Sequence, residues 1–404
     1  MKKLYTLFSA LLFLQISFAS QNRKVLIIGI DGTRSDALQK ANTPNIDGLL
    51  PNSLYSYDSW HTAITWSGPS WATILTGVYF NKHGVVNNGF TGKHFNQYPP
   101  ISALAKQVKP NLDCAIVAEW DPLIDEIDYA NWNRAVKTPD TETWITADSA
   151  VAQLQKPNID LLFAYFDKVD MTGHSSGFDT ANQLYIQAIE TVDSAVGKVL
   201  SALYARPNYS NENWLVFVVT DHGGQSILHG GNTYDQRHIW WIATGNAVAH
   251  QKITKADPGT YNCNNNLVFD NLCVDANLMK QSPVHPDVAV TALHHLLYDT
   301  LNPETVTAWN LDGKSWLQQS TGIANIASNT QLNIFPNPSS GIFEIDNLQF
   351  AVEQKIPVEI YSIDGKTIYT EMPKQAQVKV DLSNIKNGIY FLKVGTITQK
   401  IVVE

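Results

Sequence analysis

Three apolar runs in this sequence each end in residues that can hold a metal or a proton. VLIIGI is followed by Asp31, LLFAYF by DKVDMTGH with Asp170 and His174, and WLVFVVT by Asp221-His222-Gly-Gly. His229 comes eight residues after Asp221, at the head of a second His-Gly-Gly. Together these are three carboxylates and three imidazoles. A catalytic metal site with an open position takes about three protein ligands, so six ligands fill two sites. Two metals roughly 4 Å apart can clamp the attacking and leaving oxygens of an in-line displacement. Mixed nitrogen and oxygen donors favour Zn²⁺, with Mn²⁺ and Fe²⁺ as the alternatives. Each residue alone says little, because an Asp after a strand commonly serves a turn. Lone histidines such as His83, His238 and His294 read as structural or surface groups. The weight lies in the joint pattern.

A nucleophile has to come from elsewhere. TAITWSGPSWATILTG, from Thr62 to Gly77, carries several hydroxyls and ends in Gly77, a helix stop. Pro69 suits only a first helical turn, so the helix starts around Gly68–Pro69, with Ser67 at or beside the N-cap. A hydroxyl there lies beside free backbone N–H groups, in an anion-binding position. Coordination by a metal would activate it as a nucleophile. Thr65 and Ser70 are the rivals. Thr65 lies before the turn. Ser70 lies within the first turn, where it would bind a substrate oxygen.

The elements that position these residues are legible in outline. Val25–Ile30, Ala115–Ala118, Leu161–Phe166, Trp214–Thr220 and Ile239–Ala243 are continuous apolar runs, as in strands covered on both faces. Ala181–Tyr204 and Asp287–Leu301 show helical periodicity. Alternating strands and helices predict a three-layer α/β/α sandwich with a largely parallel sheet. Ligands bind beyond the carboxyl ends of such strands, which is where the Asp and His residues fall. Trp60, Trp66, Trp71 and Phe90 are candidates for core packing or for a pocket wall.

Residues 1–19 read as a signal peptide, with Lys2 and Lys3 before a short apolar run and the small residues Ser17 and Ala19 placed for cleavage after Ala19. No later run has the roughly 18 apolar residues of a membrane span. The catalytic domain is expected over 20–324 and a linker over 325–331. Residues 332–404 alternate between apolar and polar around Pro, Gly, Asn and Asp, which predicts a small all-β sandwich. The net charge of −9 and pI of about 5.6 argue against a nucleic-acid partner. Cys114 reads as a buried free thiol; Cys263 and Cys273 flank an Asn-rich loop that a disulfide could close, a pairing the sequence leaves open, and Ala256–Gln281 could form a lid, with no chemistry of its own.

The motifs IIGIDGTRSDAL, SGPSWATILTG, YFDKVDMTGH, VVTDHGG and LHGGNTYDQRHIWWIATG resemble the alkaline phosphatase superfamily, in its type I phosphodiesterase/nucleotide pyrophosphatase branch. The resemblance covers about Lys24–Leu317. It implies that Asp31, Ser67, Asp221 and His222 surround one zinc, and that Asp170, His174 and His229 hold the other. It further implies attack by Ser67 on phosphorus, a covalent phosphoryl- or nucleotidyl-serine, and stabilisation of the transferred group by a backbone N–H near Gly68. His229 is favoured over His238 as the last ligand. The branch carries Thr as nucleophile and Asn three residues on, where this chain has Ser67 and Ser70; a phosphate-contacting Asn is thereby missing, which counts against nucleotide diesters. Sulfatases share the scaffold but need an Arg where this chain has Trp71, which favours phosphate over sulfate esters. A phosphonate hydrolase and a surface-displayed binding protein without activity are the remaining readings. FPNPSSG, IDGK, DLSNIKNGIYFLKV and KIVVE resemble the type A sorting domain of the type IX secretion system, which implies that machinery as a partner and a secreted or cell-surface protein.

Overall fold

The apolar runs form strands whose alternate residues enter two different cores. A computed structural model describes residues 22–127, 131–254, 281–318, 332–363, 365–395 and 397–404. The expected signal peptide, the 325–331 linker, Cys263 with Cys273, and nearly all of the Ala256–Gln281 segment lie outside the described residues. The chain divides into two compact units, Met1–Gln318 and Gln319–Glu404.

The first unit is built on an eight-stranded sheet. Its strands are β1 (Asn22–Ile30), β2 (Ser53–Trp60), β3 (Asp113–Ala118), β4 (Arg134–Lys137), β5 (Ile159–Phe166), β6 (Glu212–Val219), β7 (His238–Thr244) and β8 (Gln251–Lys252). Their order across the sheet is β4-β3-β5-β1-β6-β7-β2-β8. The pairs from β4 through to β6 are parallel, while β7 runs antiparallel to both β6 and β2. The reversed β7 begins at the edge where β1, β5 and β6 end. β2 and β4 were not expected from the sequence.

Val25, Ile27, Phe163 and Phe217 face one core, which α1 (Ser67–Thr76), α2 (Ile101–Val108) and α6 (Pro286–Leu296) cover. Leu26, Ile28, Leu162 and Val218 face the other, under α3 (Thr143–Leu154), α4 (Lys168–Ser176) and α5 (Gln183–Tyr204). This is the expected three-layer sandwich. The Asn182 side chain caps α5 by accepting from the Leu184 N–H. α6 stops at Leu296, five residues short of the periodic pattern, because Leu297 leaves helical geometry. Cys114 is a buried free thiol.

In the second unit, three strands (order β13-β10-β9) and four strands (order β12-β11-β14-β15) form two antiparallel sheets around one core with Phe343, Ile360 and Leu392. Here β9 is Asn333–Phe335, β10 Ile342–Asp346, β11 Val358–Ser362, β12 Thr367–Glu371, β13 Val378–Asp381, β14 Gly388–Val394 and β15 Ile397–Val403.

Candidate active site

Register brings the strand ends level. Ile30 of β1 lies opposite Phe166 of β5, and Gly29 lies opposite Val219 of β6. Asp31 and Asp221 therefore emerge side by side at the middle of the sheet, where strand order reverses. The Gly32 N–H donates to Asp221 Oδ1 at 3.0 Å and locks that pairing. One strand over, β5 feeds α4, which presents Asp170 and His174 four residues apart on one face. His222 follows Asp221 directly. A tight turn with a Gln225–Leu228 bridge then brings His229 back.

All six groups and Ser67 converge. His222 Nε2 lies 3.2 Å from Asp221 Oδ2, 3.5 Å from Asp31 Oδ1 and 3.2 Å from Ser67 Oγ. His174 Nε2 lies 3.2 Å from Asp170 Oδ2 and 3.0 Å from His229 Nε2. The rings of His222 and His229 stack at 3.8 Å. Asp31, Asp221 and His222 form one group whose donor atoms lie within 4.8 Å of one another, and Asp170, His222 and His229 form another.

The tautomers follow from the partners. The Nδ1 atoms of His222, His229 and His174 lie 2.8, 2.9 and 2.8 Å from the carbonyl oxygens of Gly223, Thr65 and Ile227. A carbonyl only accepts, so each Nδ1 carries a proton; the neutral rings of His222 and His229 point an Nε2 lone pair inward, while His174 also donates from Nε2, towards Asp170 and His229, a proton that a cation bound there would replace. Asp31 Oδ1, Asp170 Oδ1 and Asp221 Oδ2 are buried there without a hydrogen-bond donor. Burial raises the carboxyls of Asp31 and Asp221 and pushes Asp170 up to about 7. It also pushes His222 and His229 down to about 3, while the hydrogen bond to Asp170 holds His174 up at about 9. Buried acceptors facing one another without donors are costly, and cations bound between them remove the cost. The residues present thus fit divalent metals.

Ser67 is the first residue of α1 rather than its cap; Trp66 holds the cap position with no side-chain bond. Gly77 ends the helix with φ of 73°. Given the tautomer of His222, the Ser67 hydroxyl donates to its Nε2. The rivals face elsewhere. Thr65 donates to the Gly231 carbonyl at 2.7 Å. Ser70 is buried, 2.7 Å from His61 Nε2 and 2.6 Å from the Trp66 carbonyl it bonds, so the expectation that it meets substrate fails. His238 pairs with Asp58 at 3.6 Å beside Trp60 and Tyr234, outside the cluster.

Gly68 also departs from expectation. Its N–H donates to Asn88 Oδ1 at 2.8 Å and is not free for a substrate. A Cβ on Gly68 would stand 2.9 Å from the Asn87 carbonyl, so glycine is what admits the 87–88 loop. Because Asn88 accepts there with its oxygen, its NH₂ remains a donor on the loop that packs against Gly68. Of the four candidate pocket aromatics, Trp60, Trp71 and Phe90 are core residues, and only Trp66 is exposed. Trp71 donates its indole N–H to Asp31 Oδ2 at 2.9 Å, and the Tyr165 hydroxyl donates to the same oxygen at 2.6 Å. Asp31 Oδ1 is thereby left to face the cluster.

Residues 25–120 and 104–257 match the type I phosphodiesterase / nucleotide pyrophosphatase family. The chain belongs to this family. Residues 333–404 match the secretion system C-terminal sorting domain, the mark of an exported protein. An uncharacterized pyrophosphatase/phosphodiesterase of Schizosaccharomyces pombe is 29% identical over 250 residues, 56% of this chain and 49% of that protein. Human bis(5'-adenosyl)-triphosphatase is 26% identical over 242 residues, 54% of this chain and 51% of that one. This family member therefore spans about half the length of the curated relatives it matches. A solved Bacteroides thetaiotaomicron structure, described for metabolism of multiple glycosaminoglycans, shares the fold with a TM-score of 0.51 at 13% identity, covering 94% of this chain and 86% of that one. Among the described residues, no helix is long and apolar enough to cross a membrane.

Proposed function

We propose that this family member is an exported two-metal hydrolase of phosphoric esters that works through a covalent phosphoryl-serine. The observation that carries the reading is the cluster of three unpartnered carboxylate oxygens with the Nε2 atoms of His174, His222 and His229, the Ser67 hydroxyl lying 3.2 Å from that of His222. Asp31, Ser67, Asp221 and His222 would hold one ion and Asp170, His174 and His229 the other, with Zn²⁺ the expected metal. Bound there, the two ions supply Lewis-acid polarisation of the ester oxygens and make the Ser67 oxygen easier to deprotonate.

The remaining steps belong to the chain. Ser67, fixed at the first turn of α1, attacks phosphorus, forming the Ser67 O–P bond as the alcohol departs. The NH₂ of Asn88 donates to a non-bridging oxygen as charge develops there. Water then cleaves the O–P bond and restores the Ser67 hydroxyl. A plain Ser–His dyad is disfavoured, because His222 turns its Nδ1–H to the Gly223 carbonyl rather than to an orienting carboxylate, and burial lowers its basicity. Sulfate esters are disfavoured by Trp71, which is buried against Asp31 where a sulfatase carries Arg. The test is a parallel assay of aryl phosphate, bis-aryl phosphate and aryl sulfate. Turnover of either phosphate ester well above the sulfate is expected, and a preference for sulfate overturns the assignment. Export through the type IX machinery predicts that enzyme in the medium lacks the sorting tail; intact mass showing the tail retained there contradicts it.

A further inference from the structure

Five large apolar side chains stand exposed close to the cluster in sequence, beside the exposed polar Gln225 and Ser226. Trp66, Val86, Met171, Ile227 and Leu228 are exposed by 40%, 44%, 44%, 52% and 62%, although large apolar side chains are ordinarily turned inward. Each stands within two residues of a group that faces the reaction: Trp66 precedes Ser67, Val86 is two before Asn88, Met171 follows Asp170, and Ile227 with Leu228 precedes His229. Contacts fix several of them in place. The indole of Trp66 covers Gly230, where a Cβ would collide with its Nε1. The Ile227 carbonyl accepts from His174 Nδ1, so the turn that displays Ile227 and Leu228 is tied to the cluster. Met171 lies one turn from His174 on α4. Exposed apolar side chains elsewhere in this unit, such as Leu184 and Tyr204 on α5, have no such neighbours. An apolar rim around a polar, charged centre matches a ligand with the same division.

We infer that the rim is a specificity surface, and that the preferred substrates are phosphoric esters carrying an alkyl or aryl alcohol group that packs on Trp66, Ile227 and Leu228. The inference rests on the proposed hydrolase reading and narrows it. A polar alcohol, such as a sugar, would leave this apolar surface in contact with water and gain nothing from it.

The test holds the chemistry constant. p-Nitrophenyl phosphodiesters with methyl, octyl or phenyl as the second ester group share one leaving group, so kcat/KM differences report on the retained group. The octyl and phenyl esters should exceed the methyl ester by tenfold or more, the scale of apolar discrimination in enzyme pockets. Ile227→Ser/Leu228→Ser should bring that ratio towards one, while Leu184→Ser, an equally exposed change away from the site, should leave it as in wild type. All these side chains are exposed, and thermal melts check that each variant folds. A wild-type ratio near one overturns the rim inference, as does a ratio that survives the double substitution. Failure to turn over any of the three diesters overturns the rim inference, and failure on p-nitrophenyl phosphate as well overturns the hydrolase reading on which it rests.

Discussion

The indole N–H of Trp71 and the Oδ2 of Asp31 lie 2.9 Å apart, both buried, and Tyr165 donates to that same oxygen. Two donors on one carboxylate oxygen fix the orientation of the other. Trp71→Phe removes one donor and keeps most of the packing. It should cost about 1 kcal/mol of stability and weaken metal affinity by roughly 10–100-fold. Chelator competition on the folded protein measures the second effect. An unchanged affinity would mean that Tyr165 alone orients Asp31.

Ser67→Ala should lower turnover by about 10³-fold or more, as removal of a covalent nucleophile does. Thr65→Ala loses only the bond to the Gly231 carbonyl and should keep most activity. The reverse result, with Ser67→Ala near wild type and Thr65→Ala inactive, would reassign the nucleophile.

Asn88 separates structure from chemistry. Asn88→Asp keeps an oxygen to accept the Gly68 N–H but loses the NH₂. Its melting temperature should stay close to wild type while kcat/KM falls by about 10²–10³-fold, the usual effect of deleting one oxyanion donor. A loss of stability with kcat/KM intact would make Asn88 a purely structural residue.

Glu119 stands fully buried after β3, where its carboxylate accepts from the Asp167 N–H at 2.7 Å. Burial, with Asp167 beside it, raises its carboxyl to about 9. A carboxyl raised on folding favours the native state while protonated. Its contribution is complete below the ordinary glutamate range and declines as pH rises towards 9. Denaturant titration of the metal-loaded enzyme should therefore show stability falling from pH 5 to 9, and Glu119→Gln should flatten that limb. A variant that keeps the full slope would place its origin in other groups.

Much of this site was readable because its ligands sit where apolar runs stop, and a run of Val, Ile and Phe announces a buried strand. The paired edge around β2 was hidden. Ser53–Trp60 carries Ser, Tyr and Asp along its length, yet most of it is buried against β7. Nor does hydropathy encode direction, so the antiparallel β7 read like its neighbours. Asn88 was missed because NNG reads as a turn, and nothing local says that the turn folds over Gly68. Ser70 and Gly68 were misjudged for the converse reason: sequence places a group in a helical turn but does not reveal that His61 and Asn88 already occupy it.

The central claim is that Ser67 acts with two bound metals, and metal removal with stoichiometric return tests it most directly. Hydrolysis of bis-p-nitrophenyl phosphate should vanish after exhaustive chelation and return in full as Zn²⁺ reaches two equivalents per chain. Activity that persists in fully stripped, folded protein would contradict the account.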